Sequence, residues 1–156
     1  MRELNIRFLE EYKTVDRFIR DAYKSEDGVT AYIHMMEADK RQGTMYVRTW
    51  NDDYYMLKHV RWVRNQLVHE VGYDSALCEK ADYDNVALFH KRLYAGSDPI
   101  SLLEKERRRI KREQAARAGA AGRKPSNGSS TGGSKGNSKN KKLSIWQRIV
   151  RFFTEP

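Results

Sequence analysis

The chain has 156 residues, 39% of them hydrophobic, with one cysteine and a net charge of +9. That gives room for one domain with a modest core; a lone Cys78 excludes an internal disulfide and suits a reducing cytoplasm. The basicity is uneven. Residues 1–100 carry 15 Lys and Arg against 17 Asp and Glu, whereas residues 101–142 carry 13 against 3. The tail therefore offers a surface for nucleic acid, an anionic membrane or an acidic protein, and charge alone does not choose among them. No run approaches the ~20 apolar residues of a membrane span, and the charged start, MRELNIRFLEEYK, lacks a signal peptide's apolar centre. A soluble, cytoplasmic protein is expected, at most peripheral at a membrane.

In chain order, Leu4, Phe8, Tyr12, Val15, Ile19 and Ala22 alternate steps of four and three, predicting a helix over Arg2–Lys24. Its charged positions Glu10, Arg17 and Arg20 read as a solvated face. Ser25, Asp27 and Gly28 make a turn. A second helix follows over Val29–Lys40, with Val29, Tyr32, Ile33 and Met36 inward and His34 outward. Residues 41–50 alternate like a short strand, but a strand without a partner is unstable, so an ordered loop is expected.

Residues 51–72 read as the central helix. Asn51 serves as N-cap, Trp50 staples onto Tyr55, and Asp52 and Asp53 suit the positive end of the helix dipole. Gly72 supplies the stop. Leu57, Val60, Leu67, Val68 and Val71 form the apolar stripe, with Arg64 in its middle, where a guanidinium is costly unless paired. Lys58, Asn65 and His69 lie together on another face. Lys58, Arg61, Arg64 and Trp62 offer a basic, aromatic surface, although Trp62 equally suits a core. A further helix spans 79–95, with Tyr83, Val86, Leu88, Phe89, Leu93 and Tyr94 apolar, and Gly96 closes it. Asp82 and Asp84 read as helix-start acids. Asp98-Pro99 restarts the chain as N-cap and first helical position. This last helix turns polar after Leu103 and frays near residues 119–122.

Residues 119–142 are a basic Gly/Ser/Asn/Lys linker with nothing to bury, expected to be disordered. Residues 143–156 fit a short amphipathic helix opened by a Ser144–Gln147 capping box. Its apolar positions are Ile145, Trp146, Ile149, Val150, Phe152 and Phe153. They suit docking on an anionic membrane or in a groove on a protein partner. The four histidines share no metal-ligand spacing with Cys78, so neither a metal nor another cofactor is expected.

The segment Arg64-Asn65-Gln66-Leu67-Val68-His69 resembles the signature of the HEPN superfamily, small all-helical nucleotide-binding and ribonuclease domains. There an arginine and a histidine stand four to six residues apart, with a polar residue, often asparagine, after the arginine. The likeness covers residues 1–118 and implies an all-α, HEPN-like bundle of about four to five helices. It also implies metal-independent RNA cleavage, with His69 and Arg64 as catalytic residues and Asn65, Lys58 and Arg61 on the phosphates. Histidine would remove the ribose 2′-hydroxyl proton and arginine would stabilise charge on the phosphate. Five residues is about 140° of rotation on a regular helix. Either the helix loosens near its end, or two copies meet across a cleft, as in the family's homodimers. Such domains act as toxins with an antitoxin partner, or as phage-defence effectors. The alternative is a non-catalytic adaptor whose terminal helix docks elsewhere. In it Arg64 pairs with Glu10 or Glu11, and His69 simply complements the helix dipole.

Overall fold

The computed structural model describes residues 2–69 and 74–121. These form six helices and no strand: α1 (Arg2–Tyr23), α2 (Gly28–Ala38), α3 (Lys40–Tyr46), α4 (Trp50–His69), α5 (Lys80–Ala95) and α6 (Pro99–Ala121). Gly72, Val71, residues 122–142 of the expected linker and the terminal segment with Ile145, Trp146, Ile149, Val150, Phe152 and Phe153 lie outside the described residues, whereas residues 119–121, expected as disordered linker, are the last of α6. None of the described helices is long and apolar enough to cross a membrane. The chain divides into two units, residues 1–106 and 107–156.

In the first unit α1 is the hub, packing on α2, α4 and α5. The expected seam is the buried one: Phe8 and Ile19 are fully enclosed, and Tyr12 and Val15 nearly so. Burying each such side chain contributes roughly 1.5–3 kcal/mol. Asp16 of α1 also starts α2, its Oδ1 accepting the Val29 N–H at 2.9 Å, one of the donors a first helical turn leaves without an intrahelical partner. Val29, Tyr32, Ile33 and Met36 then face inward as expected, and His34 is exposed.

Residues 41–50 are not a loop. α2 ends at Asp39 and α3 takes Lys40–Tyr46. The apparent strand alternation fails because Met45 is 65% exposed while Val47 is buried. Gly43 explains the corner: a Cβ there would fall 2.1 Å from Trp50 Cε2, so only glycine lets α3 close onto the indole. Trp50 is thus buried against α3 rather than stapled onto Tyr55, which is 64% exposed. α4 begins at Trp50, so Asn51 is helical rather than a cap, and the Thr49 carbonyl accepts the Asp53 N–H at 2.9 Å.

The inward face of α4 is Leu57, Val60, Val63 and Leu67, while Val68 is exposed. At 100° per residue this centre lies about 35° from the expected stripe, which moves Arg64 from the middle of the apolar face toward its border. Asp53 serves as an anchor: Arg92 holds it with both nitrogens, at 2.5 and 2.8 Å, tying the start of α4 to the end of α5. In α5, Asp82 accepts the Glu79 N–H at 2.9 Å and also meets His59 Nε2 at 2.9 Å. Val86, Phe89 and Leu93 are buried, but Leu88 and Tyr94 are half exposed, against expectation.

Gly96 ends α5 in the left-handed conformation, φ 58°. Asp98 caps α6 as its sequence predicts, Oδ1 accepting the Ser101 N–H at 3.2 Å. It is buried because it also accepts the Tyr32 hydroxyl at 2.5 Å. Ile100 and Leu103 complete the core. In the second unit the described part is helical to Ala121, with Arg109 paired to Glu113 at 2.8 Å.

Candidate nucleic-acid interface

Helices α1 and α4 run antiparallel. Just after α4, Ser75 O accepts the Asn5 Nδ2 at 2.8 Å near the start of α1. At the other end Arg61 Nη1 reaches Thr30 Oγ1, beyond the end of α1, at 3.4 Å. Between the two helices lies an open groove of about 700 Å³. Helical spacing decides its walls. On α1, Ile6, Leu9, Glu10, Lys13, Asp16, Arg17 and Arg20 recur every three or four residues and so share one side. On α4, Arg61, Arg64, Asn65 and Val68 do the same, and Asp27 and Thr30 close one end.

Five cations therefore face one concavity, with three carboxylates among them. Asp16 is committed: Oδ2 takes Arg20 Nε at 2.8 Å and Oδ1 takes the Val29 N–H. Arg64 Nη1 donates to Asn65 Oδ1 at 3.0 Å. Among the described residues no carboxylate lies within ion-pair reach of Lys13, Arg17, Arg61 or Arg64. The bridge from Arg64 to Glu10 or Glu11 is therefore not formed. Glu10 lines the same groove without pairing to it, and Glu11 instead takes His90 Nδ1 at 2.6 Å. Tyr12 lies at the groove's edge. Burial, then Asp16, pushes its phenol well above the ordinary range, and Arg64, Arg61 and Arg20 pull against that shift.

Of the residues singled out from sequence, Arg64, Asn65 and Arg61 are brought together here. His69 is not: it is the exposed last residue of α4 and lies outside the groove lining. α4 stays helical through His69, so the expected loosening does not occur within the described residues. Lys58 is directed elsewhere, its Nζ 5.2 Å over the Tyr54 ring and 3.3 Å from the Tyr54 hydroxyl. Trp62 is half exposed and lies 6.1 Å from the His59 ring. Lys13, Arg17 and Thr30 were missed as site residues. The signal available was the i, i+4, i+7 spacing of Lys13, Arg17 and Arg20.

A guanidinium fork beside an asparagine amide, in a groove rich in unneutralised cations, can hold phosphate oxygens. Fold and groove together define an all-helical bundle with a cation-rich cleft. The chain belongs to DUF6548, a family of unknown function, whose model matches residues 6–154. No curated protein and no solved structure matches it.

Proposed function

We propose that this chain is a HEPN-like, metal-independent endoribonuclease that works as a homodimer. One observation carries the reading: Arg64 borders an open cleft, held only by its neighbour Asn65, with no internal ion pair among the described residues. A partly buried arginine kept from every carboxylate is costly as structure and useful as a phosphate ligand. In the reaction, His69 removes the 2′-hydroxyl proton and the 2′-oxygen forms a bond to the adjacent phosphorus. The 5′-oxygen leaves with a proton, giving a 2′,3′-cyclic phosphate and a 5′-hydroxyl. Arg64 neutralises charge building on the non-bridging oxygens, and Asn65 orients its guanidinium. Because the two side chains of one helix diverge by about 140°, the imidazole that meets Arg64 belongs to a second copy.

Purified protein incubated with RNA in EDTA is expected to leave cyclic phosphate ends, and His69→Ala and Arg64→Ala to lose at least a hundredfold in rate. The position of His69, off the groove, favours a second reading in which the domain binds RNA or a partner without cleaving. Wild type as inert as His69→Ala toward diverse RNAs would select it.

A further inference from the structure

We infer that the α1 wall of the groove, Lys13 and Arg17 together with Arg61 and Thr30 opposite, is a track for consecutive phosphates of a single RNA strand. The track extends the substrate contact away from Arg64. This rests on the proposed ribonuclease reading for its biological meaning, though not for its geometry. Lys13 and Arg17 are exposed, line the same cleft as Arg61 and Arg64, and form no ion pair among the described residues. The two walls come from stretches more than forty residues apart in sequence, so the convergence is a product of the fold rather than of a local charge run. Like charges facing one another across a concave surface raise the local potential, and a polyanion relieves it.

The geometry favours a strand. Lys13 to Arg20 covers about 10 Å of helix, longer than a single phosphate group and within reach of two neighbouring phosphates of one strand. Asp16 and Glu10 punctuate the cations. That suits one charge per nucleotide and disfavours the clustered charge of a triphosphate.

The test uses the full chain and a fluorescent 2′-O-methyl RNA of about twelve nucleotides, which cannot be cleaved, so an absence of ribonuclease activity would not affect the result. The double substitution Lys13→Glu/Arg17→Glu is expected to weaken binding at least tenfold and to lower the salt slope by about 1.4. Lys40→Glu/Arg41→Glu on exposed α3 makes the same change in net charge and should stay within about twofold of wild type. The conservative Lys13→Arg/Arg17→Lys pair should restore affinity. Equal weakening by both glutamate pairs would overturn the track, as would RNA displacement by ATP at concentrations comparable to an unlabelled oligonucleotide. Unchanged melting temperatures for both pairs verify that the fold is intact.

Discussion

The two flanks of α1 treat charge in opposite ways. On the α5 side the fold supplies partners for several charged groups, although His90 Nε2 is buried without one. Glu11 meets His90, and Arg7 lies 4.8 Å over the Tyr83 ring. Nearby, Arg92 holds Asp53 with both nitrogens and Asp82 takes His59. On the α4 side, Lys13, Arg17, Arg61 and Arg64 face one another with no carboxylate in ion-pair reach among the described residues. Electrostatics that stabilise the bundle are concentrated around α5. In the α1–α4 groove only Arg20 is ion-paired, to Asp16, among the described cations that line it.

The sharpest way to break this contrast is at Arg92. Replacing it with alanine strands the nearly buried Asp53 carboxylate and should cost about 3–5 kcal/mol in urea denaturation. A loss below about 1 kcal/mol would mean that the fold does not depend on its internal pairs. Tyr32→Phe comes next. It removes the hydroxyl that bonds Asp98 and accepts the Ile100 N–H at 3.1 Å, for an expected loss of about 1–3 kcal/mol by the same measurement.

The third effect is a pH dependence. Burial, then Asp82 and Glu79, pushes the Cys78 thiol from 9.0 up to about 11. Between those values the unfolded chain gives up the proton and the folded chain keeps it. The unfolded state thus binds fewer protons, and stability falls as pH rises through that window. Burial shifts Tyr12, Tyr23 and Tyr32 upward as well, so the decline steepens above pH 10. Melting temperatures of Cys78→Ala should fall less steeply between pH 9 and 11 than those of wild type. The smallest effect is the most informative about the groove: Arg64→Ala should destabilise the fold by no more than about 0.5 kcal/mol. A loss above 1 kcal/mol would place Arg64 with the structural charges.

Sequence periodicity gave the α1 seam, the inward residues of α2 and the Asp98-Pro99 restart, because each rests on local spacing or capping. It did not give α3. That seven-residue helix is stabilised by a glycine admitting the Trp50 ring, a contact that belongs to tertiary packing. The face of α4 was displaced for the same kind of reason: Val63 is buried and Val68 exposed by what lies opposite them, which the repeat along one helix does not encode. Half of the groove was legible, as Arg61, Arg64 and Asn65. The other half needed α1 laid antiparallel beside α4, and a basic i, i+4, i+7 run on one helix looks the same whether it faces water or a cleft.

Glu11 and His90 are 79 residues apart in the chain. At ~5–20 residues per second of synthesis, the first helix waits roughly 4–16 s for its main packing partner to be made. During that interval Phe8 and its neighbours can lean only on α2 and then on α4. A nascent chain stalled before Tyr94 therefore exposes a greasy surface to chaperones and proteases, and the bundle closes late, once its fifth helix emerges.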